Sequence, residues 1–402
     1  MTTSPERCLG GLIKDIDKDL SPRDFDFESK DETDYKTSSE KKLSLDSIYS
    51  FHSHSSFYSP FSEDNKFSSQ NKFSILSFTK PSILSAFNNQ RSTIILQKAL
   101  MEASKDKINE IIIEMAGNYS EIIKNKNGNY FCTDLFKVCD QAQRILILKE
   151  ISDSIGDDCI DEFGTHPIQT LVELAKSEEE YKLILSSFKD YNKILTASSN
   201  QNGSFVIQKI IVHIPERYRM EFNIMFIKFL CILSMDMYGV CTVKKFIGYT
   251  KNELFVKQIL NIILTNFVNI SENQYGNYLI QYLLEYWWNT NEGASLKKLC
   301  ISKFHILSGN HYSSYICDLF LKLASNEEKK LIMSSLIKDK NISLLTNNSN
   351  GNINMNRLIN SLKNQKEGNT SNKKYIPLSL NNIRTFCAKS QKTKNEEKKK
   401  EN

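Results

Sequence analysis

Small polar residues and amides recur four positions apart along this chain: Thr93 with Gln97, Thr165 with Gln169, Ser204 with Gln208, and Asn277 with Gln281. On an α-helix that spacing puts both members on one face. In three of these pairs the residue just after the first member is a flat ring, His166, Phe205 or Tyr278. An amide both donates and accepts hydrogen bonds. A ring beside an amide suits a nucleobase, because the ring stacks on the base's face while the amide reads its edge. Such stacking is worth about 1–3 kcal/mol per base.

The pairs lie inside a recurring hexamer that begins with a small residue. The clearest copies are GNYLIQ at 276–281, GSFVIQ at 203–208 and GTHPIQ at 164–169. Weaker copies are GNYFCT at 128–133, GVCTVK at 239–244 and GNINMN at 351–356, with STIILQ at 92–97 and SSYICD at 313–318 starting on Ser. Their last residues fall at 97, 133, 169, 208, 244, 281, 318 and 356, in steps of 36 to 39. Glycine occurs only 14 times in 402 residues, yet it fills six of the eight first positions, so chance does not explain the alignment. A solvated helix face drifts among Lys, Glu, Ser and Asp. Here the sixth position is Gln97, Thr133, Gln169, Gln208, Lys244, Gln281, Asp318 and Asn356, and the second is Thr93, Asn129, Thr165, Ser204, Val240, Asn277, Ser314 and Asn352. Tyr130 and Tyr315 add two more rings at the third position.

A period near 37 residues is that of a helical unit stacked into a solenoid. The Gly or Ser is expected where a helix starts, for capping and tight backbone geometry. The fourth and fifth residues, such as Ile95 and Leu96, Val206 and Ile207, Leu279 and Ile280, are expected to point into the core. Pro167 is tolerable only in a first helical turn. Between hexamers, Lys107 to Met115, Glu178 to Phe188 and Leu254 to Phe267 read as amphipathic helices. Gly plus Pro is 21 of 402 residues, about 5% against roughly 12% in an average protein. That scarcity favours helices over turn-rich β folds, and no persistent period-2 strand is visible. The fold class expected is all-α, a solenoid in which like helices line one face.

Residues 1–70 are expected to be a disordered, Ser-rich region. From Ser38 to Ser77, 14 of 40 residues are Ser, a composition that cannot bury enough apolar surface to offset its ordering entropy. Its phenylalanines read as scattered apolar residues or as short partner-binding anchors. Residues 71–365 are expected to hold the repeats and an N-terminal cap running from Asn71 to Phe87. Residues 366–402 read as a C-terminal cap and a Lys-rich tail, which is a nuclear address, weak electrostatic glue for nucleic acid, or a solvated end. The formal net charge is +5 over the whole chain and only +3 over 79–365, where 32 basic side chains face 29 acidic ones. Charge alone does not point to nucleic acid.

Other chemistry finds little support. The nine cysteines form no Cys-x-x-Cys pair and the six histidines no His-Glu-x-x-His, so neither zinc nor a disulfide framework is indicated, and a reducing compartment is expected. No phosphate-binding Gly loop or nucleophile elbow appears, so no enzyme and no cofactor is expected. His166 reads as a stacking or groove residue, Cys241 as a small filler, and Trp287 and Trp288 as packing between repeats. The most apolar stretch, Met225 to Met235, is interrupted by Lys228 and is shorter than the roughly 20 residues of a membrane span. No signal peptide is seen.

GNYLIQ, preceded by Asn273-Gln274-Tyr275, resembles the repeat of the Pumilio (PUF) family, in which one base is read per helical repeat. The resemblance covers eight repeats over about 79–365. It implies a right-handed crescent that binds single-stranded RNA on its concave face, with the C-terminal repeats at the RNA's 5′ end. In the family, Asn with Gln reads uracil, Ser with an acid reads guanine, and Ser or Cys with Gln reads adenine, while the residue between stacks. Carried over by position, Asn352 and Asn356 resemble a uracil pair with Ile353 between. Ser314 and Asp318 resemble a guanine pair around Tyr315, and Asn277, Tyr278 and Gln281 match the uracil triplet. Read 5′ to 3′ this gives U-G-U. Val240, Cys241 and Lys244 match no base. Ser204, Phe205 and Gln208 resemble an adenine reader. Thr165, His166 and Gln169 are ambiguous, Asn129, Tyr130 and Thr133 match by half, and Thr93, Ile94 and Gln97 match least.

The function expected from the resemblance is sequence-selective binding of messenger RNA, in 3′ untranslated regions, by a cytoplasmic monomer off the membrane that recruits deadenylation or translation-repression proteins. Two alternatives differ from it. A ribosome-assembly relative in the nucleus or nucleolus would bind RNA with little selectivity, and the U-G-U-like set argues against it. A protein-binding solenoid would carry apolar or uniformly charged groove positions instead of amides beside rings.

Overall fold

The computed structural model describes residues 79–338, 341, 345 and 349–363. The Ser-rich N-terminal region, residues 71–78 of the expected cap, and the C-terminal cap and Lys-rich tail lie outside the described residues.

Every described regular element is helical. Eight helices carry the hexamers: Gln90–Met101, Gly128–Val138, Thr165–Leu174, Gly203–His213, Gly239–Tyr249, Gly276–Tyr286, Ser314–Leu323 and Ser349–Lys363. Each packs on the next, so they form one continuous row. A second row of helices of similar length runs alongside. Lys105–Met115, Gln141–Ile151 and Glu178–Ser186 are neighbours, as are Met220–Lys228, Glu253–Thr265, Asn291–Ser302 and Asn326–Lys338. The short helix Glu216–Tyr218 packs on Glu178–Ser186, between the two groups.

Between the rows sits a third set that periodicity does not reveal: Tyr119–Ile123, Ile155–Asp158, Tyr191–Ser199, Leu230–Ser234, Phe267–Glu272 and Phe304–Gly309. Each packs on the hexamer helix that follows it. Most have four to six residues, too few for a helical repeat pattern to register. Lys80–Ala86 takes the same place before the first hexamer helix, with Ile83 and Phe87 buried and the Phe87 ring 5.5 Å from that of Phe131.

The core is continuous through these rows. Val206, Ile207, Leu279 and Ile280 are fully buried, as their hexamer positions require. The first copy differs. Ile95 is exposed and Leu96 half-buried, and among the described residues the N-terminal neighbour of that helix is the seven-residue helix Lys80–Ala86. Pro167 lies in the first turn of Thr165–Leu174. Trp288 packs edge-on against Phe320 of the next hexamer helix, with Lys297 over its face, and Trp287 is buried.

The small first residue of the hexamer has a specific cause. A Cβ on Gly276 would lie 2.3 Å from the Ile270 carbonyl oxygen, and one on Gly164 2.3 Å from that of Asp158. The other four hexamer glycines meet the carbonyl six residues earlier at 2.6–2.7 Å. Close backbone approach to the preceding short helix, not left-handed geometry, therefore selects glycine. Ser313 meets the same demand differently, its hydroxyl donating to the Leu307 carbonyl at 2.7 Å, also six residues back. The entry turn is fixed by a carboxamide or carboxylate three residues ahead of the hexamer. Asn89, Asn125, Asp161, Asn200, Asp236, Asn273 and Asn310 each accept from the backbone N–H groups two and three residues on. These turns satisfy donors at the helix start.

Gly276→Ala is expected to destabilise the protein by about 1–3 kcal/mol, the usual cost of overpacking, despite alanine's better helix propensity. Urea unfolding of the two proteins checks this, and an unchanged midpoint would mean that the two helices separate at no cost.

Candidate nucleic-acid interface

The eight helices place the second, third and sixth hexamer residues on one side of their row. The three positions differ in burial, and that difference decides what each offers. Thr93, Asn129, Thr165, Ser204, Val240 and Asn277, all second residues, are 3% exposed or less. Ser314 is half-buried and Asn352 exposed. The sixth residues are mostly half-buried. The third residues stand outward: Tyr130 is 61% exposed, Tyr315 50% and Phe205 37%, and His166, Ile94 and Ile353 are also exposed. Tyr278 and Cys241 are half-buried.

Most large apolar side chains here are inside, so a file of outward rings on successive helices is a surface feature with a purpose. The Tyr315 ring is braced edge-on by His311 at 5.6 Å. A braced ring has less freedom to lose when a planar ligand stacks on it.

Six of the second residues spend their donors locally. Asn129 Nδ2 donates to the carbonyls of Asn125 and Lys126, and Asn277 Nδ2 to those of Asn273 and Gln274. The Thr93 hydroxyl donates to the Ala86 and Asn89 carbonyls, Thr165 to Asn202, Ser204 to Gln201 and Ser314 to His311. The two-way amide expected from the sequence is therefore narrowed at this position to an acceptor. Burial beside a helix start leaves these side chains nearer to carbonyls of the preceding turn than to the surface.

The sixth residues complete the pairs. Gln281 Nε2 donates to Asn277 Oδ1 at 2.9 Å, Gln169 Nε2 to Thr165 Oγ1 at 3.0 Å, and Asn356 Nδ2 to Asn352 Oδ1 at 3.3 Å. These contacts bear out the shared face that the four-residue spacing requires. Gln208 Nε2 instead reaches the Ser204 carbonyl, and Thr133 turns its hydroxyl onto the Asn129 carbonyl.

Other members are tied to the neighbouring helix. Gln97 Nε2 donates to Asp134 at 2.6 Å. Asp318 is held from two sides, one oxygen 2.9 Å from Arg357 of the next hexamer helix and the other on Lys322. Sequence reasoning misses Arg357, which lies one residue past the eighth hexamer and 39 residues from its partner. An ionised carboxylate has about four acceptor sites, so Asp318 remains able to accept from a base while the two cations hold it in place. Lys209 pairs in the same way with Glu173 of the preceding hexamer helix.

The fifth helix is different again. Val240 offers no polar atom, and Lys244 sits with its ammonium 5.2 Å from the centre of the Tyr282 ring on the sixth helix. Burial pushes the Lys244 ammonium down to about 8, against the opposing pull of Cys241 and Glu285. Among the described residues, no cluster of three or more His, Cys, Asp or Glu could hold a metal ion, and no helix is long and apolar enough to cross a membrane.

The sequence model of the Pumilio-family RNA-binding repeat matches residues 118–152, 193–221 and 266–287. Those segments contain the second, fourth and sixth hexamer helices whole, with all or most of the short helix before each. Pumilio homolog 12 of Arabidopsis thaliana is 29% identical over 256 residues, covering 62% of this chain and 42% of that protein. The suppressor protein MPT5 of Saccharomyces cerevisiae is 25% identical over 250 residues, covering 59% of this chain and 27% of that protein. The chain thus spans well under half the length of these relatives. Among solved structures, the Puf4 RNA-binding domain bound to a 3′ UTR recognition sequence of the HO endonuclease RNA superposes with a TM-score of 0.63 at 21% identity. The match covers 70% of this chain and 88% of that one. The RNA-binding domain of yeast Puf5p bound to SMX2 RNA gives 0.59 at 20%, covering 69% and 82%. Those two likenesses bear on the fold, which is an all-α solenoid. The chain thus carries segments that match the Pumilio-family RNA-binding repeat, and its repeat period and row of hexamer helices are similar to those of Pumilio-family proteins.

Proposed function

We propose that this protein binds single-stranded RNA selectively along the row of hexamer helices, with its C-terminal repeats reading a U-G-U core. The observation that carries this reading is the file of outward rings, each beside a recessed polar pair. Rings supply stacking for any base, and the polar pairs supply edge atoms that differ from repeat to repeat. The solved neighbours are complexes with RNA, four of them with a 3′ UTR recognition sequence, which supports the same ligand class. We further propose messenger RNA 3′ untranslated regions as the targets, in the cytoplasm, with repression of translation or message stability through recruited proteins, and a monomeric protein.

The pairs most suited to edge reading lie in the sixth to eighth repeats. Gln281 and Asn356 donate to the second residue of their own pair and Asp318 keeps acceptor sites open, whereas Thr133 donates to its own helix backbone and Gln97 to Asp134 of the next hexamer helix, which favours weak selectivity in the first two repeats. Competition binding of the full chain tests the proposal. A short RNA carrying U-G-U is expected to displace a labelled copy of itself about 5- to 150-fold better than one carrying U-U-U, the range for one base-edge pairing. Equal displacement by the two RNAs would sink the selective reading and leave unselective binding in its place.

A further inference from the structure

The fifth hexamer helix interrupts the row of readers, and its chemistry is of another kind. In the flanking repeats a Gln at the sixth position stands with a polar second residue, Ser204 or Asn277, and an aromatic third residue, Phe205 or Tyr278. In Gly239–Tyr249 the second residue is Val240, apolar and 1% exposed, and the third is Cys241, which has no ring. A base set against this helix meets no stacking face and no two-point edge. It meets one ammonium, that of Lys244.

A lysine ammonium is a compact point charge with donors only. It matches no single base edge uniquely, since every base carries acceptors, but it is well suited to a phosphate oxygen. The surroundings add to that fit. Lys244 is half-buried against the Tyr282 ring, where a charge interaction is stronger than in open water. Lys245 on the same helix and Lys209 on the preceding one lie close enough to depress the Lys245 ammonium, after burial, which is the larger effect. Glu285 is the acidic group that acts on Lys244, and it does not restore the ammonium to its ordinary range. Lys209 is held by Glu173, so the cation this site offers a ligand is the Lys244 ammonium beside the Tyr282 ring.

We propose that the fifth repeat holds its nucleotide by a backbone phosphate on Lys244 and leaves the base unread. This rests on the reading that the row of hexamer helices binds RNA. It predicts a selective tract interrupted by one position at which any base serves, with the strand anchored there by charge.

The test uses the full chain and an eight-nucleotide RNA, U-G-U-X-A-U-U-U, with X each of the four bases. A neutral methylphosphonate is placed at each linkage in turn. The wild type is expected to bind all four X versions alike and to lose about tenfold in affinity at one linkage next to X, as for a lost charge-assisted hydrogen bond. Lys244→Gln is expected to lose about the same on unmodified RNA, to become insensitive to that linkage, and to lower the slope of log affinity against log salt by about 0.7. Lys244→Arg is expected to restore both affinity and linkage sensitivity, which separates the role of charge from any effect on folding. Three results overturn the inference while RNA binding stands: a wild type that discriminates strongly among the X bases, a Lys244→Gln protein that binds as tightly as wild type, or one that keeps the linkage sensitivity. A wild type that binds U-G-U-X-A-U-U-U no better than a hairpin duplex overturns the underlying RNA reading and this inference with it.

Discussion

Ser314→Asn combined with Asp318→Gln is expected to turn the seventh repeat from guanine to uracil. A carboxylate only accepts hydrogen bonds and suits guanine's N–H donors, whereas an amide both donates and accepts, as uracil's edge requires. The double substitution recreates the pair present at Asn277 and Gln281, whose amide groups hydrogen-bond each other at 2.9 Å. The change in preference should be about 1–3 kcal/mol, roughly 5- to 150-fold, on the scale of one good base-edge pairing. Removing the carboxylate also releases Arg357 and Lys322. Both are about half exposed, so that loss costs at most about 1 kcal/mol of stability. It also makes the surface more basic and strengthens binding to every RNA alike. The ratio of affinities for U-G-U and U-U-U, measured for both proteins, removes that common term. A double mutant that still prefers guanine would show that Ser314 and Asp318 do not read the base.

Tyr278→Ala should act in the opposite way, on affinity and not on choice. The ring lies between the members of the uracil-type pair, and the loss of one stacking face is worth about 1–3 kcal/mol. Every base has a flat face, so the U-G-U to U-U-U ratio should stay where it is in the wild type. Because Tyr278 is half-buried, the unfolding midpoint of the variant must be compared with wild type, so that lost binding is not confused with lost folding. A changed ratio at unchanged stability would show that Tyr278 contacts the base edge.

The parts of the architecture carried by spacing are legible in the chain. The hexamers at 36- to 39-residue steps mark the helices that line one side, and the shared face of residues four apart appears directly in the Gln169–Thr165 and Gln281–Asn277 hydrogen bonds. The Asn or Asp three residues before each described hexamer is equally periodic, yet its role emerges only once the backbone N–H groups it accepts from are seen, as with Asn273 and the amides of Tyr275 and Gly276. The glycine preference reads from sequence as capping. Its actual cause, a carbonyl six residues back, belongs to the short helices, and a helix such as Leu230–Ser234 is too brief to leave a periodic trace.

What sequence spacing leaves out is competition inside the protein for the polar atoms of the site. Nothing in GNYLIQ says that Asn277 Nδ2 is already committed to the carbonyls of Asn273 and Gln274. Nothing in SSYICD says that Asp318 meets Arg357 from the next repeat. Both facts depend on where the preceding turn and the adjacent helix come to lie. The first narrows a two-way amide to an acceptor, and the second fixes in place a group that only accepts.

Selection of bound RNA from a random single-stranded pool by the full chain tests most directly whether the row of hexamer helices reads sequence. The account predicts enrichment of U-G-U, followed by one position with no base preference opposite Lys244 and then by adenine opposite Ser204 and Gln208, with preference fading toward the 3′ end. A bound pool with the composition of the starting pool, or one enriched in a motif lacking U-G-U, would contradict it.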